Sequence, residues 1–286
     1  MDCINTLRPY FLDNQCRICD CTVGGTFIWR DYHNTEYAVE DDVLFLKVMY
    51  PDQAFAPPRG EEPDRESYER IVAYCDATGV QARFCSVSET VLQWLLEMFP
   101  GSSFQTDRSW SDYLYSARDL AGLEGRRYAG QRNHINRFTR ENNTWSYERI
   151  TSSNIHEIRA FYEKNAAEHL KHSAAYIEGN RKALEVMDNI GTYKLCGGAL
   201  YVGGEVVGAS FGEIVDDTLF VHIEKADTSY HGSYPMLVTQ FARMFASDGI
   251  KFINREEDDG DEGLRKSKLS YHPIELLHKY SVEVRC

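Results

Sequence analysis

The chain has 286 residues, 43% hydrophobic and 26% charged, with a net charge of −13. This is a globular mix, long enough for one large domain or two of ordinary size. The acidity opposes broad binding to nucleic acid, which needs basic surface to displace counterions, and no uninterrupted apolar run is long enough to span a bilayer. Met1 to Leu12 has no apolar core behind a basic start, so it does not read as a signal peptide, and the expected location is the cytoplasm.

Cys16-x-x-Cys19, with Cys21, is the one cysteine cluster. It offers two metal ligands, but no second pair follows at finger spacing, and no metal site is assigned. Thr26 to Trp29, Tyr37 to Val39 and Val43 to Met49 are short and rich in aromatic or β-branched residues, and read as strands. Asp64 to Thr78 reads as a helix with Tyr68, Ile71, Val72 and Cys75 on one face, closed by Gly79. Ala82 to Val87 is a strand, Ser88 to Phe99 a helix stopped by Pro100-Gly101, and Tyr113 to Tyr115 is extended. Ser116 caps a helix running through Leu123. Gly125 interrupts, and Arg126 to Glu141 reads as another helix. At about 100° per residue, Arg126, Asn133, Arg137 and Arg140 share one face of it and Tyr128, Ile135 and Phe138 the other. The arginine stripe is either a solvated connector or a wall facing an anion, since guanidinium forks bind carboxylate or phosphate bidentately.

The second half repeats the order. Thr151 to Asn165 and Asn180 to Ile190 read as helices. Three strands follow, Lys194 to Val202, Val206 to Ile214 and Leu219 to Glu224, with hairpin turns at Gly203-Gly204 and Asp216-Asp217. Ser233 to Ser247 is a helix, Ile250 to Asn254 a strand, Glu262 to Leu269 a short helix and Leu276 to Val284 a final strand. This order predicts an α/β (α+β) protein of two tandem domains, each a mixed, mostly antiparallel sheet flanked by helices. The expected boundaries are 1–115, a helical connector at 116–148, and 149–286.

The densest charge follows the predicted strand ending at Asn254. Arg255 and Glu256 begin a run of carboxylates that includes Asp258, and a basic turn with Arg265, Lys266 and Lys268 leads to Tyr271. A ligand site of an α/β protein commonly lies at such a strand end. Surface ion pairing is the plain alternative. Glu224 and Lys225 end the strand expected to be central in the second domain, and the alternation of a strand puts His222 on the face of Glu224. A paired bridge closing the sheet end would use the same residues.

Three segments together carry a resemblance: Arg132-Asn133-His134-Ile135-Asn136-Arg137-Phe138; His222 to Asp227 followed by Gly232-Ser233-Tyr234; and Asn254 to Gly260 with Leu264 to Tyr271. The chain resembles largely uncharacterised bacterial proteins with a phosphatidylglycerol lysyltransferase C-terminal-type domain, from about Trp29 to Val282. The resemblance implies two GNAT-like (N-acetyltransferase-like) domains and acyl or aminoacyl transfer. Such transfer to a small amine, peptide or lipid-like acceptor needs a proton acceptor for the attacking group, a donor to the developing oxyanion and a site holding both substrates. Glu224, with Glu256 or Asp258, is a candidate base, and Tyr271 a donor. Arg255, Lys266 and Lys268 are candidates to fix an anionic group, with Arg132, Asn133, Arg137, His222, Lys225, Gly232, Tyr234, Asn254 and Arg265 as further ligand-binding candidates. The donor stays open between acyl-CoA and aminoacyl-tRNA. Acetyl-CoA enzymes of this fold carry a Gln/Arg-x-x-Gly-x-Gly/Ala loop, whereas here Thr228 to Pro235 contains only Gly232. The acidity argues against tRNA. A binding protein that holds an amino acid, peptide or nucleotide without chemistry is the alternative to a transferase.

Overall fold

Caps and breakers set many of the element ends. Asp64 accepts a hydrogen bond from the Ser67 backbone, and Gly79 turns left-handed at φ 71°, so the helix between them runs Arg65–Thr78. Ser88 accepts from the Val91 amide and starts the next helix in the same way. The structure, a computed structural model, describes all residues except 2, 13, 14, 50, 51, 61–63, 169–173, 248 and 286. Its helices are α1 (Ile4–Leu7), α2 (Val23–Ile28), α3 (Arg65–Thr78), α4 (Glu89–Met98), α5 (Ala117–Gly122), α6 (Ala129–Glu141), α7 (Ile155–Glu168), α8 (Ala174–Asp188), α9 (Ile190–Tyr193), α10 (Ser233–Phe245) and α11 (Glu262–Leu269). Its strands are β1 (Glu36–Glu40), β2 (Val43–Val48), β3 (Ala54–Phe55), β4 (Arg83–Val87), β5 (Ser103–Thr106), β6 (Asp112–Ser116), β7 (Trp145–Arg149), β8 (Cys196–Val202), β9 (Glu205–Val215), β10 (Thr218–Ala226), β11 (Phe252–Asn254), β12 (Glu275–Leu277) and β13 (Tyr280–Glu283). No helix is long and apolar enough to cross a membrane among the described residues.

These elements form two mixed, mostly antiparallel sheets flanked by helices, the expected architecture. One has the order β1-β2-β3-β4-β13-β5 and the other β12-β6-β11-β10-β9-β8-β7. The chain divides into two compact units. Unit 1 comprises Met1–Tyr113, Glu256–Arg265 and Leu276–Cys286, and unit 2 comprises Leu114–Arg255 and Lys266–Glu275. Residues 116–148, expected as a connector, thus belong to unit 2, and two stretches expected in the C-terminal domain belong to unit 1.

Two local readings are corrected. Thr26 to Trp29, read as a strand, lies largely in helix α2. Thr22 caps that helix by accepting from the Gly25 amide, and a Cβ on Gly25 would stand 2.0 Å from the Cys19 carbonyl oxygen. The cap and the close packing decide the helix, because three apolar residues in a row carry no period of their own. The final strand, read as continuous from Leu276 to Val284, breaks at His278-Lys279, and its two parts, β12 and β13, join different sheets.

In unit 1 the face of α3 read from the sequence is buried. Tyr68, Ile71, Val72 and Cys75 pack with Phe84 and Val87 of β4, Leu92 and Leu95 of α4 and Val282 of β13. In unit 2, α6 buries Phe138, and Ile135 packs against the same cluster as Leu200, Val207, Ala226 and the α10 residues Met236 and Leu237. The arginines at 137 and 140 are exposed on α6, as the periodicity required, while Arg126, read as part of the same helix, is exposed in the 3-10 turn Arg126–Tyr128 before it. A one-residue irregularity interrupts β10, where Val221 pairs with Gly212 but Ile223 pairs with Phe211. This bulge reverses the alternation at His222.

The start of α10 depends on a glycine for two reasons. Gly232 has φ 86°, and a Cβ there would lie 2.3 Å from the His134 carbonyl oxygen of α6. Gly204, in the β8–β9 turn, has the same φ of 86° with nothing within 4 Å of its Cβ position. Gly204→Ala should cost about 1–2 kcal/mol for the left-handed backbone alone, and Gly232→Ala a further 1–3 kcal/mol or so for the collision. Urea unfolding of both variants measures the difference; equal losses would contradict the close α6–α10 packing.

Candidate functional site

The centre of unit 2 is a buried ion pair at an unpaired strand edge. β10 pairs with β9 along its length to Ala226, but with β11 only from Thr218 to Phe220. Beyond Phe220 the β11 side of β10 has no strand partner. Arg255, the residue after β11, donates from Nη2 to Glu224 Oε1 at 2.6 Å, with the two side chains 7% and 13% exposed. Tyr271 and Tyr115 stand beside the guanidinium, with ring centroids 5.0 and 5.8 Å away. Burial opposes the charge of Arg255, but the Glu224 carboxylate and the two tyrosines hold its pKa above the ordinary range. Breaking a buried pair of this kind typically costs about 3–5 kcal/mol, because the remaining charge is left uncompensated. Lys268, also buried, donates from Nζ to the Arg255 carbonyl oxygen at 2.5 Å, and Tyr115 donates to the Lys268 carbonyl at 2.9 Å. Lys268 therefore fixes the Arg255 backbone.

The pair lies in a polar row that the sequence did not reveal. Gly198, Ser210 and Glu224 are direct neighbours across β8, β9 and β10. The Tyr147 phenol, from β7, sits over Gly198, where a Cβ would be 2.3 Å from its oxygen. Tyr147 Oη, Ser210 Oγ and Arg255 Nη1 are all buried without a hydrogen-bond partner. Such groups are normally paired, with water or a ligand if not with protein. Burial pushes the phenols of Tyr147 and Tyr271 upward; the nearby Glu224 carboxylate adds to both shifts, and Arg255 opposes the one at Tyr271. Both remain protonated donors at neutral pH. The signal available in the sequence was period-two alternation on β7 and β9, but it does not say which polar residue lies next to Glu224 without the strand register.

Several predicted residues lie elsewhere. Lys225 follows Glu224 and points to the opposite face of the sheet, where Nζ donates to Asn180 of α8 at 2.7 Å and lies 5.3 Å from the Tyr162 ring of α7. The bulge sends His222 away from Glu224: its Nε2 meets Glu213 Oε1 at 2.9 Å, and its ring stacks on Phe220. Arg132 donates to the backbone carbonyls of Leu123 and Gly125, the latter at 2.6 Å, so it secures the turn after α5. Arg137 pairs with Glu141 at 2.8 Å on the exposed side of α6, where Asn133 is also exposed. Asn254 is buried in β11 opposite Phe220 and Leu114. Tyr234 is 36% exposed in the first turn of α10, and Lys266 is exposed on α11. Gly232 is accounted for by helix packing.

Asp258 and Arg265 belong to unit 1, as does Glu256, whose carbonyl accepts from the Tyr113 amide at 3.2 Å. The buried Asp258 carboxylate accepts from Arg265 Nε and Nη2 and Arg108 Nη1, each at 2.9 Å, from Tyr113 Oη at 2.6 Å and from the Gly260 amide at 3.0 Å. The Arg265 fork, chiefly, holds its carboxyl well below the usual carboxylate range. This corrects its assignment as a base, since its lone pairs are filled and its proton affinity is low. A second buried cluster in unit 1 sets Cys19 Sγ and oxygens of Asp112 and Glu257 within 4.8 Å of one another, a spacing suited to a cation. The Lys279 ammonium takes that place, at 2.8 Å from Asp112, 2.9 Å from Glu257, 3.3 Å from Cys19 Sγ and 2.6 Å from Asp20. Burial, aided by Glu257 and Asp20 and opposed by Lys279, lifts Asp112 to about 7.

A family model described as phosphatidylglycerol lysyltransferase, C-terminal, matches residues 16–283. A conserved protein of unknown function from Bacteroides thetaiotaomicron VPI-5482 is 31% identical, with a TM-score of 0.92 over 99% of this chain and 97% of that one. L-PGS from Bacillus licheniformis is 12% identical, with a TM-score of 0.63 over 87% of this chain and 84% of that one, a likeness of fold. The uncharacterized protein MYCGA3080 of Mycoplasmoides gallisepticum is 26% identical over 256 residues, 88% of this chain and 78% of that protein.

The Asp258 network has a pH signature. Its folded pKa lies below the unfolded value of about 3.9, so its stabilisation is complete above that value and is lost as pH falls through the folded one. Asp258→Asn should lower stability near pH 7 by about 3 kcal/mol and by much less near pH 2. Urea unfolding at both pH values checks this, and a pH-independent loss would contradict it.

Proposed function

This chain belongs to the phosphatidylglycerol lysyltransferase, C-terminal family, and we propose that the Glu224–Arg255 region of unit 2 is the site of an acyl or aminoacyl transfer. The observation that carries this reading is the set of buried unpartnered atoms, Arg255 Nη1, Ser210 Oγ and Tyr147 Oη, beside a half-buried carboxylate at an open strand edge. Arg255 and the protonated Tyr271 supply donors for the carbonyl oxygen as it gains negative charge. Glu224, held by Arg255 through Oε1, has its second oxygen to receive the proton released by the attacking amine or hydroxyl. When the tetrahedral intermediate collapses, that proton passes to the departing thiol or hydroxyl. No covalent enzyme intermediate is required. Tyr147 and Ser210 orient the polar part of the substrate over Gly198.

The acceptor is a small amine, a peptide or a lipid-like molecule. An aminoacyl donor fits better than acyl-CoA, because Gly232 is used for packing and Pro235, in the first turn of α10, lacks an amide hydrogen for a phosphate. The same use of Gly232 favours a second reading, in which these groups hold an amino acid, peptide or nucleotide without chemistry.

The test is transfer of label from aminoacyl-tRNA and from acyl-CoA to a panel of amines and lipids. Glu224→Gln should lower kcat by about 10²–10⁴-fold, the usual worth of a general base, when assayed well below its melting temperature, which falls because the Arg255 charge loses its counter-ion at a cost of about 3–5 kcal/mol. Unchanged turnover would overturn the role of Glu224. Tight binding of a donor without transfer in the wild type would favour the binding protein.

A further inference from the structure

The cysteine cluster near the N-terminus takes no part in the unit 2 site, yet its geometry is specific. Cys16 Sγ donates to Cys21 Sγ at 3.6 Å, and both residues are half-buried. The Arg59 guanidinium lies close enough to the Cys21 sulfur to favour its charged form. It is held there by donation from Nη2 to the Asp20 carbonyl at 3.4 Å and by the Phe11 ring, 5.0 Å from its central carbon. The hydrogen bond from Cys16, and then the Arg59 charge, draw the Cys21 thiol below its ordinary range against the effect of burial, while Cys16 is driven the other way. A thiolate-prone sulfur therefore touches a protonated one, the arrangement of an attacking and a resolving thiol.

The other described cysteines are differently placed. Cys19 is buried, with its sulfur against Asp112 and the Lys279 ammonium, and Cys75 is fully buried. Burial pushes Cys85 and Cys196 up to about 12. Among the described residues, Cys16 and Cys21 form the one pair of sulfurs in mutual contact. To bond, they must approach by about 1.5 Å, to a disulfide length of about 2.05 Å. Cys16 lies in a turn and Cys21 ends the short 3-10 helix Cys19–Cys21 just before α2, so such a shift disturbs no strand.

We propose that Cys16 and Cys21 are a redox-active dithiol, a modification site that a hydroperoxide converts to a reversible disulfide. The Cys21 thiolate attacks the terminal peroxide oxygen and the O–O bond breaks. The departing oxygen takes a proton and leaves as an alcohol or water, and Cys21 becomes a sulfenic acid. The Cys16 sulfur then attacks the Cys21 sulfur. The S–O bond breaks as the S–S bond forms, and the hydroxyl leaves as water with the Cys16 proton. The two thiols lose two electrons in total, and the peroxide gains them.

The experiment treats the reduced full chain with hydrogen peroxide, alkylates it with iodoacetamide after denaturation, and maps the peptides by mass. Cys16 and Cys21 should escape alkylation together, joined by a link two hydrogens lighter than the dithiol and reversed by dithiothreitol, while Cys75 and Cys196 remain alkylated. Cys16→Ser should leave a Cys21 sulfenic acid that dimedone traps. Arg59→Met should slow alkylation of Cys21 in the native protein at about pH 5, below its folded pKa of about 6, by about tenfold, the effect of one pKa unit on the thiolate fraction. The proposal is overturned if both thiols are still alkylated once Cys196 has oxidised, if either is linked to a different cysteine, or if Cys16→Ser gives no dimedone adduct.

Discussion

The interaction on which unit 2 turns is the buried pair of Arg255 and Glu224. Removing a guanidinium from water is costly, and here three features offset the cost: the carboxylate, two aromatic faces, and a backbone fixed by Lys268. The pair can sit inside the sheet because β10 outruns β11. A paired strand would fill this space with main-chain hydrogen bonds; at the open edge of β10, a side chain turns in. One arginine nitrogen, a serine hydroxyl and a tyrosine hydroxyl are then left facing the same row without protein partners. A structural ion pair alone does not require those three donors.

The charges of unit 1 follow a different logic. Asp258 and Lys279 are each surrounded by opposite charge or hydrogen-bond donors, and neither has capacity left for a ligand. Their dense pairing explains why the stretch from Arg255 to Tyr271 is so rich in charge. That stretch serves both units. Arg255 and Lys268 to Tyr271 complete unit 2, and Asp258 and Arg265 bind each other within unit 1. The Cys16–Cys21 pair is a third kind of charge site, in which the Cys16 hydrogen bond, and then Arg59, lower the proton affinity of a sulfur.

Much of the fold was legible because local physics decides it. The apolar face of α3, its Asp64 and Gly79 ends, the Phe138 face of α6 and the hairpins at Gly203-Gly204 and Asp216-Asp217 all follow from periodicity and turn chemistry. Glu224, Arg255 and Tyr271 were legible as candidates, and the structure brings them together. His222 was placed on the wrong face because a bulge is invisible to simple alternation. Lys225 was grouped with Glu224 although neighbours on a strand point apart. Asp258 and Lys268 were read as free charges because their partners, Arg108 and Tyr113 for the one and the Arg255 carbonyl for the other, are set by tertiary packing. Tyr147 and Ser210 were missed because only strand register aligns them with Glu224. The strand read at Thr26 to Trp29 failed because the Thr22 cap and the Gly25 contact with Cys19 outweigh aromatic and β-branched content.

The central claim is that the Tyr147–Ser210–Glu224–Arg255 row is built around a guest. A high-resolution crystal structure of the protein tests it most directly. Ordered water or a co-purified polar molecule is expected within hydrogen-bonding distance of Arg255 Nη1, Ser210 Oγ and Tyr147 Oη, adjoining the Glu224 carboxylate. A row in which these three atoms turn to protein partners, with no ordered guest beside Glu224, would contradict it.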